Sequence, residues 1–346
     1  MKKNNKKNKM TIKILLSCCF ASIFSLFTGC SCCNNTKIDI QSIIADEARG
    51  FKFSEDKKVL LKAPEKFSGH YSVPSGVTTI GTKAFYQCSG LQEITFPDTL
   101  TTIENIAFYG CSSLKSVKLP DSILYLNEKA FELCLSMTEI HIPNSVRKIS
   151  NGMFIGCAKL HSITIPDSID TIEKMVFYGC SGLKNVTIPS SIKKIDYMAF
   201  FACSNLQNIK IPDSVTTIGN MAFASCPELQ SIKLPDSVTT LGSMAFKGCF
   251  NLKKVVLSEN LTTVGNNIFH GCFGLPDIVL PRSMNSIGEG MFMGCSNLQN
   301  TVIPDSVTNI GNLAFFGCEK LKNVKISRNA KVAGDAFSAQ TKIFRR

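Results

Sequence analysis

Apolar residues return along this chain with one fixed period. Phenylalanine recurs every 23 residues, at Phe85, Phe108, Phe131, Phe154, Phe177, Phe200, Phe223, Phe246, Phe269, Phe292 and Phe315. A cysteine stands three residues behind each one, from Cys88 to Cys318. No insertion or deletion disturbs the register. A repeat of this length with its apolar residues locked in phase marks a solenoid, in which identical coils stack and each buries its neighbour's core.

One repeat shows the elements. Leu91, Ile94 and Phe96 carry a strand pattern in which Ile94 and Phe96 face inward around an outward Thr95. Pro97 stops the strand, because it has no N–H to give to the ladder. Asp98 and Thr99 make a turn, and Leu100 and Ile103 point back into the core. Ala107, Phe108 and Cys111 are spaced as on one face of a short helix or 3₁₀ turn. The pattern therefore predicts a coil with a parallel β-sheet on one face and short helical or 3₁₀ turns opposite. Glycine before the cysteine recurs at Gly110, Gly156, Gly179, Gly248, Gly271, Gly294 and Gly317, where it permits close approach of neighbouring coils or a positive φ.

The ends depart from the repeat. Ile38 to Gly50 is consistent with a short helix, and Phe51, Phe53, Val59 and Leu61 alternate around a polar turn as in a β-hairpin. An open solenoid end exposes core and strand edge, so residues 51–72 are expected to be an N-terminal cap. The 23-residue repeats fill residues 73–326. Beyond them Ser327 replaces the proline, Ala330 and Ala333 replace larger apolar residues, Phe337 arrives one residue early, and no cysteine follows. Residues 327–346 read as a terminal coil or cap.

The first 29 residues read as a secretory signal peptide: six lysines precede an apolar stretch from Ile14 to Phe27 that is too short to span a bilayer comfortably. The segment Leu26-Phe27-Thr28-Gly29-Cys30 resembles a bacterial lipobox, which implies lipidation of Cys30 and a tether over residues 30–50. The bulky Phe27 departs from the commonest pattern and is similar to the relaxed lipoboxes of spirochaetes. Ordinary signal cleavage would instead leave Cys30 a free thiol. Removing the leader takes six lysines and no acids, so the net charge falls from +12 to +6. That residue of charge does not argue for nucleic acid as a partner.

Sixteen cysteines divide into Cys18, Cys19, Cys30, Cys32 and Cys33 in or beside the leader and eleven in the repeat column. Export permits disulfides, and coils about 5 Å apart would bring the column within bridging range. The odd number and the identical apolar setting of each cysteine favour buried free thiols.

The phrase Ile211-Pro212-Asp213-Ser214-Val215-Thr216-Thr217-Ile218-Gly219-Asn220-Met221-Ala222-Phe223 resembles the signature of BspA-like leucine-rich repeats. The likeness covers roughly residues 51–340. The asparagine of many other leucine-rich repeats is replaced by Thr99, Ser122, Ser145 and their equivalents. The resemblance implies a right-handed parallel solenoid displayed at a bacterial surface. It also implies adhesion to host extracellular proteins or to other bacteria, with the membrane held through the N-terminal lipid. The competing reading is a structural or scaffolding envelope lipoprotein that faces the periplasm.

Candidate chemistry is thin. His70, His141, His161 and His270 are scattered; His141 and His161, in different columns one coil apart, are a lone pair without carboxylate partners, a weak metal pattern. The column Asp98, Asp121, Asp167, Asp213, Asp236 and Asp305 is interrupted by Asn144, Ser190, Arg282 and Arg328, so local turn hydrogen bonds explain it better than calcium. There is no nucleophile elbow, phosphate loop or pair of acids on an insertion. No enzyme activity, cofactor or metal is expected. The informative surface is the outward column of the strands, which reads Thr95, Lys118, His141, Thr164, Thr187, Lys210, Lys233, Val256, Val279, Val302 and Lys325. Three consecutive outward valines are either β-branched stacking or an apolar recognition spot rimmed by Lys233, Lys254 and Lys325. A second stripe, Tyr86, Tyr109, Tyr178, Phe201 and Phe316, is either packing or a partner surface.

Overall fold

The computed structural model describes residues 37–346. The leader, Cys30, Cys32, Cys33 and residues 30–36 of the expected tether lie outside the described residues.

Each repeat makes one coil with three hydrogen-bonded walls. The first wall holds the expected strands, such as Ser116–Lys118 and Glu139–His141, which pair in parallel with the same repeat positions aligned. The second wall was not anticipated as a sheet. Two-residue strands, among them Thr79–Ile80 and Thr102–Ile103, pair in parallel at the Thr-Ile positions that follow the proline turn. This ladder is the more continuous of the two. It runs as six-, five- and three-stranded sheets, whereas the first wall is divided into one four-stranded and four two-stranded sheets.

The third wall corrects an expectation. It contains neither helix nor 3₁₀ turn but a run of tight turns. Ala84, Tyr86 and Cys88 donate to the carbonyls three residues back, while Lys83, Phe85 and Gln87 donate to Asn105, Ala107 and Tyr109 in the next coil. Alternating local and inter-coil bonds need a left-handed residue within the turns. Gly110 supplies it at φ 71°, and Gln87, where no glycine is present, is held at φ 56°. Glycine recurs before the cysteine because only it adopts this φ without strain.

The core is a column of phenylalanine rings. Phe85 to Phe315 are all buried, and neighbours such as Phe200 and Phe223 stack with centroids 5.2 Å apart and planes 2° from parallel. Phe337, early in sequence, still stacks on Phe315 at 5.0 Å. Turn hydroxyls add ladders of their own. Ser122, Ser168, Ser191, Ser214, Ser237 and Ser306 each donate to a carbonyl 22 residues back, as Ser214 does to Ile192 at 2.7 Å. The serines therefore serve the preceding coil, which corrects the expectation that turn residues such as these bond within their own turn.

The capping structure begins earlier than residue 51. Helix α1 (Ile40–Ala48) starts at Asp39, whose carboxylate accepts from the Ser42 N–H at 3.1 Å. It buries Ile43 and Asp46, so residues 38–50 belong to the cap and not to a tether. Asp46 accepts from the Tyr71 hydroxyl at 2.7 Å and pairs with Arg49 at 3.2 Å. Strands β1 (Lys52–Phe53) and β2 (Val59–Lys62) pair antiparallel. Phe51 stacks on Tyr71 at 4.3 Å and meets Phe85 edge-on, which starts the aromatic column.

Candidate binding surface

Outward residues of the first wall fall into straight columns because parallel strands align identical repeat positions. Lys233 lies beside Val256, and Val279 lies beside Val302. The three valines are 40%, 63% and 56% exposed. They form an apolar row in an outward column that otherwise reads Thr, Lys and His.

Lys233, Lys254 and Lys325 are exposed around this row, and none belongs to an ion pair among the described residues. The rim is not uniformly positive, because Asp277 lies beside Asn300 on the same strands as Val279 and Val302. All six candidate residues are thus on one wall. Cys30 lies outside the described residues.

The row extends further than the sequence reading placed it. Residues Lys342–Arg345 form a strand that pairs in parallel with Asn323–Ile326, and this puts Phe344 beside Lys325. Phe344 is 50% exposed. The apolar pair Ile343-Phe344 between Lys342 and Arg345 was the available signal, hidden because the 23-residue register had already failed. Val302, Lys325, Phe344 and Arg346 line a shallow hollow of about 550 Å³. Thr301 also lines it, at an inward position where other coils carry Ile or Val, and its buried hydroxyl has no hydrogen-bond partner.

Four of the five residues of the aromatic stripe on the third wall are paired with one another, while Phe316 is 48% exposed. Tyr86 stacks on Tyr109 at 5.0 Å, and Tyr178 stacks on Phe201 at 5.0 Å. A further exposed pair, Phe250 on Phe273 at 5.2 Å, was missed. Both follow a column cysteine directly, so reading that position down the repeats would have found them. His141 and His161 are exposed, and His70 lies 3.4 Å from Glu93. Among the described residues no three His, Cys, Asp or Glu side chains gather as a metal set.

The thiol column is free and buried. Burial pushes the thiols up, to about 12 for Cys157, Cys249 and Cys318. Such groups are neutral and shielded, the opposite of a reactive cysteine.

Comparison with known proteins agrees with this geometry. A family model described as BspA type leucine rich repeat region matches residues 68–184, 147–274 and 216–344. A leucine-rich repeat protein from Bacteroides ovatus is similar in structure, with a TM-score of 0.64 and 26% identity over 86% of this chain and 97% of its own. A leucine-rich repeat protein from Eubacterium ventriosum shares the fold at a TM-score of 0.53 and 21% identity, covering 83% of this chain and 91% of its own. No curated protein matches the sequence.

Proposed function

The chain belongs to the BspA-type leucine-rich repeat family, and from that premise we propose that it is a non-enzymatic cell-envelope protein that binds other proteins through the strand wall. The observation that carries this reading is the exposed row Val256, Val279 and Val302. Apolar anchors supply most of the energy of a protein interface, while rim charges such as Lys233, Lys254 and Lys325 speed encounter and set selectivity. We place the chain at the cell surface as an adhesin-type lipoprotein anchored through Cys30, with host extracellular or bacterial surface proteins as its ligands.

The test is comparative. Val256→Ser, Val279→Ser and Val302→Ser combined should weaken binding to a candidate protein ligand at least tenfold. Thr95→Ser, Thr164→Ser and Thr187→Ser combined should change it less than twofold, with both variants folded by circular dichroism. Equal effects from the two sets would return the valines to a stacking role. The anchor has its own test. Cys30→Ser should abolish detergent partitioning, and unchanged partitioning would remove the lipid from the proposal. Protease added to intact cells should cleave a surface-displayed solenoid; full protection would place it in the periplasm.

A further inference from the structure

The net charge of residues 30–346 is concentrated at one end. Residues 319–346 contain eight Lys and Arg against two Asp and Glu, a net +6. The leader holds the other six positive charges of the +12 total, so residues 30–318 are neutral overall. The exposed lysines Lys320, Lys322, Lys325, Lys331 and Lys342 make no ion pair among the described residues. Arg346 is engaged, donating to Asp305 at 2.9 Å. Arg345 donates to the carbonyls of Arg328 and Ala330, both at 2.9 Å, and so secures the same end of the coil.

Among the described residues the strand Lys342–Arg345 is also an edge strand. Its inner side is satisfied: Lys342 donates to Lys322 at 2.8 Å, and Arg346 donates to Ile326 at 3.0 Å. A parallel ladder uses alternate residues on each side, so the N–H and C=O of Ile343 and Arg345 point to the outer side. No strand pairs there among the described residues. Ile343 lies beside Val324, which is buried on the core side of the same sheet, yet Ile343 is 42% exposed. An apolar residue in a core register, an unpaired edge and a net +6 thus coincide.

We propose that this edge accepts an extended acidic peptide segment of another protein, which adds to the sheet as a further parallel strand. Strand addition gives main-chain hydrogen bonds to Ile343 and Arg345, an apolar side chain of the guest covers Ile343, and its flanking carboxylates meet Lys342 and Lys325. A guest of alternating acidic and apolar residues satisfies all three. A second copy of the chain fits poorly. Edge-to-edge pairing about a two-fold axis brings +6 against +6 and sets Lys342 opposite the partner's Arg345, an arrangement that destabilises a sheet. Head-to-tail stacking finds no charge complement, since residues 37–66 carry seven basic and six acidic groups. The site is an edge rather than the outward valine row, and it does not depend on that row binding anything.

The probes are three: the capped pentapeptide Glu-Val-Glu-Val-Glu, the same peptide with lysine for glutamate, and heparin as a polyanion without a strand. Binding to the full chain is followed by NMR, with amide hydrogen exchange read at residues 342–346. The glutamate peptide should bind at least tenfold tighter than the lysine peptide, weaken with salt, and protect the Ile343 and Arg345 amides. Ile343→Pro removes an outward N–H and an apolar contact while leaving the inner bonds in place, so it should lose at least tenfold. If that variant also loses protection at Lys342 and Arg346, Lys325→Glu with Lys342→Glu decides the matter. The backbone is then untouched, and peptide preference should reverse. Equal binding of the two peptides, wild-type affinity in a folded Ile343→Pro variant, unchanged preference after charge reversal, or heparin binding as tightly with no amide protected from any probe would each overturn the proposal.

Discussion

Cys203 donates its thiol hydrogen to the main-chain carbonyl of Phe177, 26 residues earlier, at 3.2 Å. The same bond recurs in every coil from Cys111 to Cys318, as between Cys157 and Phe131 at 3.2 Å or Cys295 and Phe269 at 3.1 Å. The Phe177 carbonyl already accepts from the Cys180 N–H at 3.1 Å, so the thiol fills its second lone pair. Cysteine suits this place because it is compact and apolar enough for the core, yet still carries a weak donor. The column therefore stitches adjacent coils together without any covalent bond.

Cys203→Ala removes that donor and leaves a void the size of one sulfur atom. The lost bond and the small cavity together should cost about 1–2 kcal/mol. Urea unfolding should show a lower midpoint with an unchanged slope. A midpoint equal to that of the parent chain would mean that the thiol fills space without bonding.

Burial of the thiols makes stability depend on alkaline pH. The folded chain holds its thiols protonated, up to about pH 12 for Cys157, Cys249 and Cys318, whereas unfolded thiols ionise near about pH 8.5. The contribution is complete below the unfolded value and is lost as pH rises toward the folded one. Above about pH 8.5 Cys157, Cys249 and Cys318 each lower stability by about 1.4 kcal/mol per pH unit, and the other column thiols, also raised by burial, act in the same direction. The urea midpoint should be flat from pH 7 to 8, fall steeply by pH 10, and recover at pH 7. Iodoacetamide at pH 8.5 should label almost none of the eleven in the folded chain and all of them once urea is added without reductant. A midpoint constant to pH 10, or labelling that waits for reductant, would contradict the free-thiol column.

The repeat made most of this fold legible. Phe85 to Phe315 and their cysteines announce a stack, since nothing else keeps a core residue at constant spacing through eleven copies. The outward valines were also readable, because a strand's period of two assigns each position to a face. What sequence hid was how coils join. Ala107, Phe108 and Cys111 have helical spacing, but the left-handed residues just before and among them, Ile106 at φ 50° and Gly110 at φ 71°, turn the segment into an inter-coil ladder. Propensity is local, and this ladder exists only when a neighbouring coil supplies its carbonyls. Phe344 and the open edge at Ile343 escaped for a related reason: the periodic register ends before them, and their exposure depends on what stacks above.

Phe200 tests whether the stack behaves as a chain of coupled coils. Its ring lies 5.1 Å from that of Phe177 and 5.2 Å from that of Phe223, with both neighbours nearly parallel and all three fully buried. Phe200→Ala removes both ring contacts at once, and truncation of a buried phenylalanine typically costs about 3–5 kcal/mol. In a nearest-neighbour array that loss falls on the two interfaces of one coil rather than on the whole molecule. The coils before and after it keep their own stacks, so the two halves should unfold at different temperatures. Thermal unfolding of the variant should therefore broaden or split into two steps, while Phe337→Ala, at the end of the column with one stacking partner, should keep a single transition. A single sharp transition for Phe200→Ala, merely shifted down, would show that coupling along the solenoid is strong enough to carry the defect across all coils. An unshifted transition would show that the ring column contributes little to holding the coils together.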